Sequence, residues 1–382
     1  MKGFSLSIGA AGAPFHAAAH SHHPWPDVTL AAQETAWRDA ARLLDRKWEQ
    51  VFVSVIPEAR AHVARVLNLP DPASVVFGPN THSFLLRLLS CLPRERTPRI
   101  LTTGSEFMSF ARQMARLEEE KLVSVTRVRP EPFDSFEERF SHEARSNFDL
   151  VYISQVFFDS AFAIDPVALA RVARDPQTLV VIDGYHGFMA LPTDLRAIAG
   201  QVFYLAGGYK YAMAGEGACF LHCPPGICPR PRDTGWYAGF SALEKGGSGV
   251  PFAADGSRFF GATFDVSGLY RFNAVQNWLS REGLTVAAML EMVRAIERVF
   301  LAELDRLQSP LQSRDLVVLD ENRRGRFLAF RARDAGAIAA RLAAENIVVD
   351  WRGDRLRVGF GIYHDENDAT RLATALATAL DT

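Results

Sequence analysis

The residues TLVVID (178–183) and QVFYLAGGYK (201–210) decide the fold of this chain. Each begins with a short apolar run rich in β-branched or aromatic residues, which predicts a buried strand of a parallel sheet. The first run ends at Asp183, and the second leads through two glycines to Lys210. Because the carboxyl ends of parallel strands open onto a binding crevice, the pattern places a carboxylate and a lysine at one site.

These two charged residues suit the chemistry of one class of cofactor. A lysine that follows a glycine turn among apolar residues can act as a Schiff-base amine. A nearby carboxylate is the partner that a pyridinium nitrogen requires. The residues alone leave two alternatives open, because a strand-end aspartate can cap the next helix and a lysine can simply face solvent.

The segments DGYH (183–186) and GYKY (208–211) resemble the pyridoxal 5'-phosphate (PLP) site of the class V aminotransferase superfamily. The histidine after the aspartate and the tyrosine before the lysine point to its kynureninase-like branch. The resemblance implies that Lys210 binds PLP as a Schiff base, that Asp183 pairs with the pyridine nitrogen, and that His186 contacts the ring. All three are therefore predicted catalytic residues.

Strand and helix patterns alternate along the chain, which predicts a right-handed α/β fold. Seven strands are predicted for its sheet: one near Val75, then 99–104, 122–129, 150–157, 178–183, 201–206 and an antiparallel return at 217–223. The resemblance implies the PLP-dependent transferase fold type I, with a mostly parallel seven-stranded sheet and a smaller α+β domain. We expect a large PLP-binding domain at 28–262, and a small domain made of 1–27 and 263–382.

The composition excludes several classes of protein. The chain has 382 residues, is 48% hydrophobic and 23% charged, and carries a formal net charge of -2. This balance predicts neither nucleic-acid binding nor a membrane surface, and no apolar run has membrane-spanning length. The four cysteines show no disulfide-framework spacing, and the amino terminus lacks a signal-peptide core, which favours a cytoplasmic protein with reduced thiols.

No metal site is predicted, although the sequence contains one cluster of histidines and one of cysteines that could bind a metal ion. Four histidines lie between His16 and His23, but no acid or cysteine completes the set, which favours an active-site or interface loop. Three cysteines lie between Cys219 and Cys228, but structural zinc prefers more closely spaced pairs.

Several further residues are assigned to the cofactor through the resemblance. Thr81 and His82 begin a predicted helix, whose free N–H groups and positive dipole end suit a phosphate. The family implies that Phe107 stacks on the ring, that Ser160 supplies a small hydroxyl near it, and that Tyr209 contacts the phosphate. Asn80 or Thr81 is the predicted cap of that helix.

The long Pro- and Gly-rich stretch 224–262 predicts a functional loop. Its Gly235-Trp236 pair resembles the kynureninase loop that reaches the phosphate of the partner subunit. Thr263 follows at a position with the same cross-subunit role in class V enzymes. The resemblance therefore implies a homodimer with composite active sites, to which Trp236 and Thr263 contribute in trans.

The substrate is predicted to be an amino acid. Arg357, on an alternating strand, matches the arginine that grips the substrate α-carboxylate, for which the planar guanidinium is suited. A structural arginine paired with Asp354 or Asp365 is the alternative. Ser21 lies where the family places a serine near the substrate.

The sequence is compatible with more than one class of reaction. Transamination is expected, with kynureninase-like C–C hydrolysis or another PLP lyase reaction as the alternative. Phe110 stands where kynureninases carry aspartate, and the loop after Trp236 lacks their histidine, which weakens the strict kynureninase assignment. Desulfuration is disfavoured because no cysteine follows Cys228. A non-catalytic PLP-fold protein and a Rossmann-like nucleotide binder are further alternatives, but no G-x-G-x-x-G follows a predicted strand.

Overall fold

The computed structural model describes residues 3–172, 175, 177–245 and 249–381. Its strands are short and fall into three sheets. They are β1 (Phe15–His16), β2 (Val75–Gly78), β3 (Arg99–Thr103), β4 (Ser124–Val128), β5 (Leu150–Ser154), β6 (Leu179–Asp183), β7 (Val202–Ala206), β8 (Cys219–His222), β9 (Leu328–Arg331), β10 (Ile347–Val348), β11 (Asp350–Arg352) and β12 (Arg355–Val358).

Helices connect and cover these strands. The α-helices are α1 (Val28–Leu43), α2 (Lys47–Gln50), α3 (Ile56–Leu67), α4 (Thr81–Leu89), α5 (Met108–Glu119), α6 (Phe136–Glu143), α7 (Pro166–Ala170), α8 (Ser267–Arg281), α9 (Val286–Arg306), α10 (Ala335–Ala344) and α11 (Glu366–Asp381). Short 3-10 segments lie at Leu44–Arg46, Pro72–Ser74, Phe133–Ser135, Trp236–Lys245, Gly256–Phe259, Ser313–Asp315 and Glu321–Arg323, and a π-helical one lies at Val51–Val55.

The largest sheet has seven strands in the order β2-β8-β7-β6-β5-β3-β4. Strand β8 runs antiparallel to both of its neighbours, and all other pairs are parallel. Every residue of β5, β6 and β7 is buried, which is why these runs are continuously apolar, whereas β4 at the edge is partly exposed. The predicted fold class, the strand count and the antiparallel return are confirmed.

The carboxyl-terminal part of the chain forms a second hydrophobic core. Strands β11, β12 and β9 form an antiparallel sheet, and β1 from the amino-terminal segment pairs in parallel with β10. Apolar residues from Val293 onward fill this core together with Ala17. Helix α8 packs into the core of the large sheet although it follows residue 262, so the domain division stays a prediction.

The amino-terminal helix is shorter than its apolar pattern predicts. Apolar residues recur at helical spacing from Val28 to Trp48, but α1 ends at Leu43 because Leu44 adopts a positive φ of 48°. The Asp27 carboxylate does not cap α1 and instead accepts hydrogen bonds from Ser5 and Leu6. Much of the apolar face of α1 remains exposed.

No membrane-crossing helix is found in the part of the chain that the structure describes, since none of its helices is both long and apolar enough.

Candidate active site

A cavity of about 260 Å³ opens at the carboxyl ends of the central parallel strands. Ser154 and Asp183 end β5 and β6, and Lys210 follows the glycine turn after β7. The residues lining the cavity are Asn80, Thr81, His82, Phe107, Ser109, Ser154, Val156, Phe158, Asp183, Tyr185, His186, Tyr209 and Lys210. Seven residues assigned from the sequence therefore lie together: Thr81, His82, Phe107, Asp183, His186, Tyr209 and Lys210.

Lys210 is a buried lysine whose Nζ lies 2.7 Å from Nε2 of His186. Burial lowers the pKa of Lys210 to about 7, because the low-dielectric surroundings disfavour the ammonium ion. Burial, followed by the nearby charge of Lys210, also holds the pKa of His186 well below its ordinary value. The pair therefore offers a nucleophilic amine beside a neutral imidazole.

Aromatic rings surround the lysine amine. Its Nζ lies 5.6 Å from the ring centroid of Phe107, 5.0 Å from that of Tyr185 and 5.8 Å from that of Tyr209. The backbone at Gly207 approaches Tyr185 so closely that a Cβ there would lie 2.2 Å from the phenolic oxygen. A side chain at this position would displace Tyr185 from the cavity wall.

Asp183 faces two neutral donors at the buried end of β6. Its Oδ2 accepts from the Tyr152 hydroxyl at 2.8 Å, and its Oδ1 accepts from the Tyr185 backbone N–H at 2.9 Å. Burial raises the pKa of the Asp183 carboxyl, while these two hydrogen bonds oppose that rise. A cationic ring nitrogen beside Asp183 would stabilise the buried carboxylate.

The amino-terminal end of α4 lines the opposite part of the cavity. Asn80 caps this helix through its side chain, which accepts from the Ser83 backbone N–H at 2.9 Å. The cap is therefore Asn80 rather than Thr81. Thr81 and His82 form the first turn, where free backbone N–H groups and the helix dipole favour an anion.

Glu106 is fully buried directly before Phe107. Its carboxylate accepts from Thr103 Oγ1 at 2.7 Å and from Ser154 Oγ at 2.6 Å. Burial raises the pKa of Glu106 to about 8 despite these donors, and the nearby Asp183 charge adds to the rise. Glu106 ties β3 to β5 behind the lining residues Phe107 and Ser154.

Five residues assigned from the sequence do not line the cavity, namely Ser21, Ser160, Trp236, Thr263 and Arg357. Ser160 is buried beyond it, with its Oγ accepting from the Phe162 N–H at 3.3 Å, and Phe158 lines the wall instead. Trp236 Nε1 donates to Thr263 Oγ1 at 3.2 Å on the surface. Ser21 lies half-buried in the amino-terminal loop.

The histidines of that loop contact the site as aromatic and polar groups. His22 stacks on Tyr209 with ring centroids 4.9 Å apart, and the His23 N–H donates to the Tyr209 carbonyl at 3.1 Å. His20 is fully buried and stacks on Phe327. In the described ranges, no group of three or more histidine, cysteine or acidic side chains is arranged to hold a metal ion.

Arg357 approaches the cavity from the small sheet. One Nη donates to the carbonyl of Phe158, which lines the cavity, and the other donates to Asp350. The guanidinium also lies 5.8 Å from the ring of Phe327, which in turn contacts His186. The acid that pairs with Arg357 is therefore Asp350, and neither Asp354 nor Asp365, the two candidates from sequence.

Sequence reasoning missed Tyr152, Glu106 and Asp350. One available signal was the short turn Gly353-Asp354, which sets the register of β11 and β12 and places Asp350 opposite Arg357. Tyr152 lies inside a uniformly apolar strand, so no pattern marks its hydroxyl as functional.

These residues fit PLP on three grounds. Lys210 lies against a neutral imidazole, so its amine is available for a Schiff base. Asp183 lacks a cation among its hydrogen-bond partners, a role that a pyridinium fills. The first turn of α4 offers N–H groups to a phosphate at another wall of the same cavity.

Comparison with known proteins gives one family match. A sequence model of the family described as "Aminotransferase class-V" matches residues 41–372, which is well over half of the 382-residue chain. A search of curated protein sequences finds no match.

Solved structures resemble the chain over almost its whole length. Apo cysteine desulfurase from Thermococcus onnurineus NA1 superposes with a TM-score of 0.79 at 15% identity, over 100% of this chain and 99% of that one. The cystine C–S lyase C-DES, in complex with its product cysteine persulfide, has a TM-score of 0.81 at 18% identity, over 97% and 98%. A C-DES mutant with glycine covalently linked to its PLP cofactor has a TM-score of 0.82 at 16% identity, over 98% of both chains.

Because these structures share only 15–18% of their sequence with this chain, the likeness establishes the fold alone, and the match to the family model establishes the family. The architecture is fold type I of PLP-dependent enzymes, and Asp183 and Lys210 lie at or just after the ends of the adjacent strands β6 and β7. The cofactor is pyridoxal 5'-phosphate. The chain is therefore a PLP-dependent enzyme that belongs to the class V aminotransferase family.

Proposed function

We propose that this enzyme transaminates an α-amino acid. The observation that carries the proposal is the buried amine of Lys210, whose pKa of about 7 lets it accept and donate protons near neutral pH. PLP supplies an electron sink for the electrons left at Cα. Transamination requires a group that binds the cofactor and a group that moves the Cα proton. The amine of Lys210 can do both.

The other lining residues have roles that follow from their chemistry. Asp183 keeps the ring nitrogen protonated, and Phe107 covers one face of the ring. Thr81 and His82 hold the phosphate at the start of α4, with Tyr209 beside it. Ser160 and Ser21 keep their assignments near the cofactor and substrate as predictions.

The substrate α-carboxylate is assigned to Arg357. Its guanidinium donates to the carbonyl of Phe158, which lines the cavity, and a planar fork binds a carboxylate with two parallel hydrogen bonds. An α-amino acid held there would present its amine towards Lys210.

A lyase reaction, including kynureninase-like C–C hydrolysis, is the second candidate. The neutral imidazole of His186, 2.7 Å from Lys210, gives the site a second hydrogen-bonding group, which a bond cleavage beyond Cα can use. Two of the similar structures are of a protein described as a C–S lyase or its mutant. No cysteine is among the lining residues in the described ranges, which disfavours a desulfurase that carries sulfur on its own thiol. The kynureninase-like branch and a cytoplasmic location stay predictions.

We also propose a homodimer in which Trp236 and Thr263 serve the partner's site. Thr263, Trp37 and Trp48 line a surface groove of about 550 Å³. Trp37 is 71% exposed and Trp236 is 44% exposed, and apolar surface of this kind marks a protein interface. From Trp48 a continuous chain of ring contacts runs through Phe52 and Phe240 to Trp236.

The proposal is tested by the spectrum and the products of the purified protein. Visible absorption and borohydride fixation of the cofactor in the wild type, lost in Lys210→Ala, establish the lysine. An amino-acid panel is then assayed for keto acid with retained amine on the cofactor, for released ammonia, and for alanine. Keto acid formed without released ammonia supports transamination, whereas ammonia or alanine release supports the lyase candidate. A cofactor that borohydride still fixes fully in Lys210→Ala overturns the assignment.

A further inference from the structure

Asp350 pairs with the guanidinium of Arg357, the group proposed to bind the substrate carboxylate. Antiparallel pairing of β11 with β12 places the two residues directly opposite each other. Both Nη atoms of Arg357 are used, one by Asp350 and the other by the Phe158 carbonyl, and both side chains are largely buried. A carboxylate that binds across the two Nη atoms therefore meets Asp350 and the Phe158 carbonyl at the same end of the guanidinium, whereas Nε has no hydrogen-bond partner.

Asp350 also pairs with a second guanidinium group, that of Arg352. Its Oδ1 accepts from Arg352 Nη1 at 2.6 Å and from the Trp351 backbone N–H at 2.7 Å. Its Oδ2 faces Arg357, with His20 Nε2 at 3.6 Å. Burial lowers the pKa of His20 to about 3, so His20 is neutral and adds no charge at neutral pH.

The charges of Asp350, Arg352 and Arg357 leave an excess that one bound anion would neutralise. Burial alone would raise the pKa of Asp350, but the nearby His20 imidazole and the charge of Arg357 hold it below its ordinary value, so it is a carboxylate. One carboxylate thus lies between two guanidinium groups, with one positive charge in excess. A monocarboxylate on Arg357 would convert this arrangement into two neutral pairs, Asp350 with Arg352 and Arg357 with the ligand.

We propose that Asp350 is a specificity-determining residue that competes with the substrate carboxylate for Arg357 and is transferred to Arg352 when the substrate binds. The inference rests on the proposed role of Arg357 and adds a second residue to it. A ligand with a carboxylate displaces Asp350 and gains a charge-assisted pair, whereas an amine without one leaves the Asp350–Arg357 pair closed. The site thereby selects α-amino acids over the corresponding amines.

The test is a binding titration of PLP-loaded protein followed by the visible absorption of the cofactor. The probes are L-alanine, L-leucine and L-phenylalanine, each compared with the amine that lacks its carboxylate: ethylamine, 3-methylbutylamine and 2-phenylethylamine. The variants are Asp350→Asn, Arg352→Leu and the double variant. Asp354→Asn and Arg355→Leu are matched controls on the same hairpin, because Arg355 pairs with Asp354 and Glu131 and does not contact Arg357.

We expect Asp350→Asn to lower the Kd of the amino acids by about tenfold, the lower range for a hydrogen bond to a charged group, and to leave amine binding unchanged. Arg352→Leu should raise the Kd of the amino acids by about tenfold in the wild-type background, and have little effect when Asp350 is already asparagine. The controls should leave both classes of probe unchanged.

Three results overturn the proposal. A higher amino-acid Kd in Asp350→Asn means that Asp350 aligns Arg357 rather than competes for it. An equal effect of Arg352→Leu in both backgrounds means that Arg352 binds the ligand itself. Absence of carboxylate-dependent binding in both the wild type and Asp350→Asn excludes competition.

Two further measurements separate this inference from the proposed function. Failure of the wild type to bind PLP, or an unchanged amino-acid Kd in Arg357→Leu, contradicts the proposed function itself. Asp350→Ser serves as a second variant in case the amide disturbs the hairpin. Loss of the cofactor spectrum in both Asp350 variants also overturns the inference, since Asp350 is proposed to act only through Arg357.

Discussion

The phenolic hydroxyl of Tyr152 donates a 2.8 Å hydrogen bond to Oδ2 of Asp183. Phe110 stacks on the Tyr152 ring with centroids 3.9 Å apart and fixes its orientation. Phe110 is itself buried, so this stacking holds the Tyr152 ring from the side of α5. The orientation of the Asp183 carboxylate thus depends on a residue of the neighbouring strand.

Tyr152→Phe should lower activity by about tenfold while leaving stability within about 1 kcal/mol, because it removes one hydrogen bond to a charged group and keeps the stacked ring. The measurement is kcat together with the pH dependence of the cofactor spectrum, which follows the pyridine nitrogen. Tyr204→Phe is the matched control, since that buried hydroxyl bonds Gln155 and not Asp183. Equal effects in both variants would make the role of Tyr152 merely structural.

Asp183→Asn should keep PLP bound but reduce activity by two or more orders of magnitude, because an amide cannot stabilise a pyridinium. Cofactor content from absorption and kcat are measured on the same preparation. Near-normal turnover with bound cofactor would contradict the assignment of Asp183.

Arg357→Leu should raise the KM of the amino-acid substrate by about 30-fold or more, since loss of a desolvated charge-assisted pair costs about 2–5 kcal/mol. Arg357→Lys should be nearly as damaging, because a point charge does not reproduce the planar fork. The affinity for PLP should be unaffected. A lowered Tm with unchanged KM would instead identify Arg357 as a structural partner of Asp350.

Mixing a Lys210→Ala chain with a Trp236→Ala chain should restore part of the activity if Trp236 acts in trans. Subunit exchange then yields hybrid dimers with one site that carries both defects and one that carries neither. Activity is followed over time, and exchange is verified with differently tagged chains. An active monomer, or exchange without recovery, would place Trp236 in its own chain's site or in none.

Glu106→Gln should change how stability depends on pH. Burial raises the folded-state pKa of Glu106 from 4.5 to about 8, so the stability that its protonated form contributes is present below about pH 4.5 and is lost as the pH rises through about 8. Relative to the Gln variant, the wild type should lose stability across that window, on the order of 1.4 kcal/mol per unit of pKa shift.

Thermal unfolding of the two cofactor-free proteins at about pH 5 and about pH 8 measures this difference. Glu345→Gln, at an exposed glutamate, is the control and should show no such trend. Parallel curves for the wild type and Glu106→Gln would mean that Glu106 is ionised throughout.

The sequence by itself determined the fold and the centre of the site. Uniformly apolar runs predict strands buried on both faces, and the residues after such strands meet at one edge of a parallel sheet. Asp183 and Lys210 could therefore be brought together from their positions alone. Thr81 and His82 were predictable for a similar reason, because the start of a helix is a local feature with a fixed direction of its N–H groups.

Only the tertiary structure decided which side chains surround these groups. Ser160 was placed at the end of the predicted strand 150–157, but β5 ends at Ser154, and Phe158 rather than Ser160 lines the cavity. Asp350 meets Arg357 through the register of two strands, and Tyr152 meets Asp183 across β5 and β6. Spacing along the chain places a residue on an element, but partners from other elements depend on register and packing, which no single segment encodes.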